Sequence, residues 1–137
     1  MYIFDANVFI NYLRAEEKTL DEVEKFMNKL FENEIKVLIP DLCFYEVIYN
    51  IKKKELINKK IIELLDEILA LGNLIIYKLD AKEYKNVLNI SVEYNTSTYD
   101  WTYLYLHDLF PEQKIITLDK RFYNCITNNK NIIYVWK

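Results

Sequence analysis

Four acidic residues occupy positions at which the sequence predicts the end of a strand or the start of a helix. Asp5 follows an apolar run at the beginning of the chain, and Asp119 follows another at 115–118. Glu46 is the only charged residue between 42 and 49, and Asp100 lies at the start of a helical pattern. Carboxylates that gather at one place repel one another, and proteins retain such groups mainly around a divalent cation. These four acids are therefore the candidate catalytic and metal-binding residues.

The other reactive residue types restrict the metal and exclude several other kinds of site. His107 is the only histidine, so a nuclease mechanism based on a histidine pair is excluded; its helical context predicts a surface position. Cys43 and Cys125 belong to no paired-cysteine motif, which argues against a zinc knuckle or a redox dithiol. A single Gly in the whole chain excludes a glycine-rich phosphate loop. An all-oxygen donor set selects Mg²⁺ or Mn²⁺.

An alternating series of strands and helices must position these acids. Short apolar runs predict strands at 2–4, 36–39, 74–77, 114–117 and 132–135. Apolar stripes of helical period cover 20–34 and 41–53, and breaks near 55–58 and 95–98 leave room for two helices in each of two crossovers. Parallel strands with helical crossovers predict an α/β three-layer sandwich, with a five-stranded, mainly parallel sheet and helices on both faces. The carboxyl ends of such strands meet at one edge, where the acids fall.

Composition limits the organisation of the chain and its partners. With 137 residues, 52% of them hydrophobic and 28% charged, we expect a single domain over 1–137 with its own core. The net charge of −3 argues against nucleic-acid binding through a general positive surface. The longest uncharged stretch, 68–77, is about half of a membrane span, and no basic leader precedes the first strand. We therefore expect a cytoplasmic protein without membrane contact.

Each acid also has a purely structural interpretation. Asp5 and Asp119 could be N-caps of the helices that follow them, and Ser97 with Asp100 fits the spacing of a capping box. Glu46 could be a half-exposed helix residue. Taken singly, capping is the more common role; four acids at one edge of one sheet favour a metal site.

The ordered motifs around the acids resemble those of the PIN-domain nucleases. They are Asp5-Ala6-Asn7-Val8, Glu46 after a Pro-Asp helix start, Ser97-Thr98-Tyr99-Asp100 at a helix start, and Thr117-Leu118-Asp119-Lys120 after a strand. They span nearly the whole chain in the order of that family. The size of the chain makes it most similar to the stand-alone VapC-type ribonuclease toxins. Trp101 is a departure, because the family more often has a small residue at that position.

This resemblance implies a PIN-like fold and a divalent-metal-dependent endoribonuclease, the toxin of a toxin-antitoxin pair. Such an enzyme hydrolyses RNA phosphodiester bonds with a metal-activated water and leaves a 5′-phosphate and a 3′-hydroxyl. Asp5, Asp100 and Asp119 would hold one or two ions of Mg²⁺ or Mn²⁺, and Glu46 would bind the metal or orient the water. The implied partners are the RNA substrate and a cognate antitoxin protein. Toxins of this type commonly dimerise, so a homodimer is a further expectation.

Polar and basic neighbours of the acids supply the remaining candidates. Asn7 and Thr117 each lie within two residues of a candidate ligand and are candidates for orienting it. Lys120 and Arg121 follow Asp119 directly, which makes them candidates for RNA binding. Five lysines at 52–54 and 59–60 fit a phosphate track, or a solvated helix end that suits the helix dipole.

Two other functions stay open on the sequence. The segment Asp5-Ala6-Asn7-Val8 after the first strand also resembles the haloacid-dehalogenase-like phosphatases, but Asn7 stands where that family has a second, acid-base Asp. The second alternative is a catalytically inactive module of the same fold that binds RNA or protein. The presence of all four acids argues against it.

Overall fold

The structure, a computed structural model, describes residues 1–14, 19–55, 57–96, 98–126 and 132–135. In this part of the chain, strands and helices alternate along the sequence. The strands are β1 (Tyr2–Phe4), β2 (Val37–Pro40), β3 (Leu74–Tyr77), β4 (Lys114–Thr117) and β5 (Ile132–Tyr134). The helices are α1 (Ala6–Leu13), α2 (Asp21–Phe31), α3 (Leu42–Lys53), α4 (Lys59–Leu69), α5 (Ala81–Glu93), α6 (Thr98–Leu109) and α7 (Lys120–Cys125).

The five strands form one sheet in the order β3-β2-β1-β4-β5, and every pairing in it is parallel. The predicted α/β fold is confirmed. β1 lies between β2 and β4. The chain adds β2 and then β3 on one side of β1, and it later adds β4 and β5 on the other side. The strand order therefore reverses between β1 and β4, which is the position at which parallel α/β sheets form a crevice at their carboxyl edge. Phe4 pairs with Ile116, so the residues that follow β1 and β4 leave the sheet side by side.

Helices cover both faces of the sheet, as right-handed crossovers require. α1 packs against α2, α3 and α4, whereas α6 lies over β1, β2 and β4 and packs against α5. The sheet side chains between these layers are apolar and inaccessible to solvent; the core includes Ile3, Phe4, Ile39, Ile115 and Ile116. No helix in the described ranges has the length and apolar character needed to cross a bilayer.

The structure differs from the sequence prediction at several element ends and at His107. α2 ends at Phe31, three residues early, and Asn33 adopts a positive φ of 59° in the following turn. β2 is shifted by one residue and includes Pro40. His107 was expected at the surface but is buried, because α6 lies between the sheet and α5, and burial lowers the pKa of its imidazole. The capping box proposed for Ser97 and Asp100 falls on residue 97, which lies outside the described residues.

The buried side-chain amide of Asn73 connects the start of β3 to the segment before β2. Asn73, just before β3, donates from Nδ2 to the carbonyl oxygens of Leu30 and Ile35, each at 2.7 Å. Asn73→Ala removes the donor for both carbonyls, so we expect it to lower the free energy of unfolding by about 2–4 kcal/mol. Asn89→Ala, at an exposed position of α5, is the control and should change it by less than about 0.5 kcal/mol. Urea unfolding measures both; equal effects would contradict the assignment.

Candidate active site

Asp5 is held against the end of β4 by its backbone and its side chain. Its amide donates to the carbonyl oxygen of Ile116 at 3.0 Å, and the Thr117 hydroxyl donates to Asp5 Oδ2 at 2.7 Å. The side-chain nitrogen Nδ2 of Asn7 lies 3.5 Å from the same oxygen. Asp5 is only 2% exposed, and its side chain makes no regular capping hydrogen bond to α1, although the backbone amide of Asn7 is near enough to oppose the rise that burial causes in the pKa of the carboxyl. Capping of α1 is therefore not the main role of Asp5, whose shortest side-chain hydrogen bond is to Thr117 on β4.

The Thr117 hydroxyl also connects Asp5 to Asp119. It accepts a hydrogen bond from the Asp119 amide at 3.0 Å while it donates to Asp5. Asp119 is half-buried, and its Oδ1 accepts from the amide of Phe122 at 3.1 Å, which caps α7. The capping interpretation thus holds for one oxygen of Asp119. One buried hydroxyl fixes the positions of two candidate ligands.

Two helices bring the other acids to the same edge. Glu46 lies in the second turn of α3, directly after β2, and Asp100 lies in the first turn of α6. Asp100 is 8% exposed and Glu46 is half-buried. The Glu46 Oε2 atom is inaccessible to solvent and has no hydrogen-bond partner among the described residues. A buried carboxylate oxygen without a partner is costly, so it indicates that a cation or a donor is needed there.

The four carboxyl groups interact electrostatically. Burial raises the pKa of Asp5 from its ordinary 3.8 to about 7; the Thr117 hydrogen bond opposes this rise, and the charges of Asp100 and Asp119 add to it. Burial likewise raises the pKa of Glu46 from 4.5 to about 8, with further contributions from Asp5, Asp100 and Asp119. Each acid therefore contributes to, or experiences, repulsion within one cluster, as the sequence analysis expected of a shared site.

The donor chemistry of this cluster suits a hard divalent cation. Its atoms are carboxylate oxygens, which Mg²⁺ and Mn²⁺ prefer, and the buried Glu46 Oε2 is an acceptor that a cation would satisfy. As the side chains stand, no three acidic, His or Cys residues in the described ranges are grouped closely enough to hold a metal ion.

An open groove of about 420 Å³ begins beside Asp119. Its polar lining includes Lys120 and Arg121, the two predicted RNA-binding residues, together with residues from α1 and the segment after it: Asn7, Asn11 and Arg14. Sequence reasoning missed Asn11 and Arg14. A signal was present, because the three residues are spaced at i, i+4 and i+7 and form a polar stripe on a helix whose other face is buried.

The five lysines at 52–54 and 59–60 lie apart from this groove's lining. All five are exposed, and they occupy the end of α3 and the start of α4. Lys59 approaches Glu63 at 3.9 Å, on the surface of α4. This arrangement fits the solvated helix end that the sequence analysis offered as one alternative.

Comparison with known proteins places this geometry among characterised folds. A model of the PIN domain family matches residues 2–125. A toxin-antitoxin complex from Klebsiella pneumoniae contains a similar chain with 14% identity and a TM-score of 0.69, covering 100% of this chain and 99% of that one. The sarcin-ricin-loop-cleaving toxin VapC20 from Mycobacterium tuberculosis has 10% identity and a TM-score of 0.69, covering 90% and 94%. No curated protein matches the sequence.

Proposed function

This chain belongs to the PIN-domain family, and from that premise we propose that it is a divalent-metal-dependent endoribonuclease, the toxin of a toxin-antitoxin pair. The family's nucleases are hydrolases, and the resemblance seen in the sequence is confirmed at the level of family and fold. The observation that supports catalysis in this chain is the mutual repulsion of Asp5, Glu46, Asp100 and Asp119 at one sheet edge. We propose these four as the catalytic and metal-binding residues.

The four acids divide into two groups in the proposed mechanism. Asp5, Asp100 and Asp119 hold one or two ions of Mg²⁺ or Mn²⁺, and Glu46 binds the metal or orients the attacking water. When bound, the cation lowers the pKa of water and neutralises phosphate charge in the transition state. Glu46, with a pKa of about 8, holds a proton near neutral pH in the metal-free protein and must release it before it can accept one from water.

Thr117 and Asn7 orient Asp5 in this proposal. The Thr117 hydroxyl donates to Asp5 Oδ2 at 2.7 Å, which fixes one oxygen of the carboxylate. Asn7 lies farther from the same oxygen, at 3.5 Å, and also lines the groove. Outer hydrogen-bond partners of this kind fix a ligand's direction and its basicity.

The groove beside Asp119 supports RNA as the substrate. Arg14, Lys120 and Arg121 line it, and guanidinium and ammonium groups bind the phosphates of a nucleic-acid backbone. The groove is open to solvent and has Asp119 in its lining, so a polymer bound there would lie beside one carboxylate of the cluster. This local positive lining is the anchor that the overall charge of −3 does not provide.

The toxin assignment is supported by the solved structures with the same fold. One is described as a toxin-antitoxin complex and another as a toxin that cleaves the sarcin-ricin loop. We propose accordingly that this chain has a cognate antitoxin and acts in the cytoplasm, and that it forms a homodimer. Detection of a stable complex with the product of a short adjacent gene would test the partner directly.

Cleavage of RNA by the purified protein tests the proposed activity. We expect cleavage with Mg²⁺ or Mn²⁺, complete loss of cleavage with EDTA and recovery when metal is added back. A small phosphate ester should not be hydrolysed. Equal cleavage with and without chelator would contradict metal-dependent hydrolysis. Ester hydrolysis with phosphate trapped on Asp5 would instead support the phosphatase alternative, and RNA binding without cleavage would support the inactive binding module.

Substitution in the groove tests the substrate surface. Arg121→Ala should weaken RNA binding several-fold and reduce the slope of log Kd against log salt by about 0.7, because one phosphate contact is lost. Lys29→Ala is the matched control, since Lys29 is exposed in the last turn of α2, at the opposite edge of the sheet. Binding is measured without metal so that the RNA stays intact. An unchanged salt slope for Arg121→Ala would exclude this groove as the RNA track.

A further inference from the structure

A single buried hydroxyl lies beneath the carboxylate cluster and contacts two other elements. Tyr103, on α6, is fully buried, and its hydroxyl oxygen accepts a hydrogen bond from the Ala6 amide at 3.1 Å. Burial raises the pKa of this hydroxyl, and the thiol of Cys43 on α3, which is also fully buried, lies close enough to raise it further. This hydroxyl therefore joins α1, α3 and α6 at one point.

The three contacts lie close in sequence to three of the candidate ligands. Ala6 directly follows Asp5, Cys43 precedes Glu46 by three residues on α3, and Tyr103 follows Asp100 by three residues on α6. Three residues are about one helical turn, a rise of about 4.5 Å, so each contact is one turn or less from an acid. Any shift of one element against the others would change the spacing of the carboxylates.

The hydrogen bond to Ala6 also replaces a helix cap. The first amides of a helix have no partner within it, and a capping side chain usually satisfies one of them. Asp5 stands at the N-cap of α1 without a regular capping hydrogen bond, while the Tyr103 hydroxyl, on a separate helix, accepts a hydrogen bond from the Ala6 amide. The Asp5 carboxylate is thereby left for Thr117 and the cluster.

We propose that Tyr103 is a positioning residue that holds Asp5, Glu46 and Asp100 in register for metal binding. The proposal rests on the proposed function, because it assigns these acids to a metal site. Tyr103 itself contacts neither metal nor RNA. Its effect passes through the Ala6 backbone and the Cys43 side chain, so removal of the hydroxyl alone should loosen the cluster while the aromatic ring continues to fill the core.

Tyr103→Phe tests this with Tyr105→Phe as the matched control. Tyr105 lies two residues along α6, is also buried, and its hydroxyl donates to Glu83 Oε2 at 2.7 Å, away from the cluster. Both variants lose one buried hydroxyl with its contacts, and both should melt at a lower temperature. Only Tyr103→Phe should weaken Mn²⁺ affinity by about tenfold, measured by electron paramagnetic resonance, and lower kcat for RNA cleavage with little change in KM.

Amide hydrogen exchange in the metal-free protein separates this inference from the proposed function. The Ala6 amide should exchange at least about tenfold faster in Tyr103→Phe and at the wild-type rate in Tyr105→Phe. Wild-type Mn²⁺ affinity in Tyr103→Phe, or an equal loss in both variants, would overturn the positioning role. A wild type that binds no Mn²⁺ would contradict the proposed function. In that case the Ala6 exchange rate in Tyr103→Phe still tests the contact between Tyr103 and Ala6, and an unchanged rate would overturn it. If Tyr103→Phe does not fold, Cys43→Ala must weaken Mn²⁺ binding by severing the contact to α3, and wild-type affinity there overturns the proposal.

Discussion

Asp100→Asn is expected to lower RNA cleavage by at least about 100-fold and to relieve the growth inhibition that the wild-type protein causes in a bacterial host. Loss of residues that merely orient a metal ligand already costs 10–100-fold in metal affinity or activity, and Asp100 is proposed as a ligand itself. It is 8% exposed at the cluster, and its charge raises the pKa of both Asp5 and Glu46. Cleavage rates and growth curves at equal protein level measure the two effects.

Asp108→Asn is the matched control for this substitution. Asp108 is an exposed acid on the same helix, eight residues and about 12 Å farther along it. It changes the net charge by the same amount, so a loss caused by charge alone would appear in both variants. Full activity in Asp100→Asn would remove Asp100 from the site. A wild type that cleaves RNA without slowing growth would instead favour a housekeeping nuclease.

The fold could be predicted from the sequence largely because its strands are short, apolar and separated by helical patterns. All five strands lie where they were expected, within one residue at each end. The errors arise where tertiary packing decides the outcome. His107 follows a helical pattern that gives no sign of burial, yet it is buried on a helix that packs against both the sheet and α5. Local sequence does not contain that information.

The sequence was sufficient to predict which residues lie at the edge of the sheet, but not the contacts that position them there. Strand ends place Asp5 and Asp119 side by side, so topology alone was sufficient for these two. The role of Tyr103 was not accessible, because its hydroxyl meets the Ala6 amide across 97 positions of sequence. The same holds for Arg14, whose approach to Lys120 and Arg121 in the groove depends on how α1 packs.

The stability of the metal-free protein should fall as the pH rises from about 4 to about 8. Folding raises the pKa of Asp5 from 3.8 to about 7 and that of Glu46 from 4.5 to about 8. An acid whose pKa is higher in the folded state binds its proton more tightly there, so its contribution is full below the unfolded pKa and is lost as the pH passes the folded value. For Asp5 the loss amounts to at most about 4 kcal/mol in the free energy of unfolding.

Asp5→Asn should flatten this pH profile and make the metal-free protein more stable than the wild type at pH 8. The amide keeps an oxygen that can accept from Thr117 but carries no charge to bury or to repel Asp100 and Asp119. Mn²⁺ should raise the melting temperature of the wild type, more at pH 8 than at pH 5, because the metal must displace protons from Asp5 and Glu46. The same addition should raise that of Asp5→Asn much less. A wild-type profile that is flat with pH and insensitive to Mn²⁺ would contradict the metal site.

Asp119→Asn distinguishes a cap from a ligand at the one acid where the structure supports both. Asn caps a helix about as well as Asp, so the hydrogen bond from the Phe122 amide should survive and α7 should stay folded. If capping is the only role of Asp119, melting temperature and Mn²⁺ response should match the wild type. If Asp119 belongs to the cluster, loss of its charge should stabilise the metal-free protein at pH 8, since it repels both Asp5 and Glu46. We expect this second outcome, with a reduced Mn²⁺ response, because the hydroxyl of Thr117 fixes Asp119 beside Asp5 whichever oxygen caps the helix.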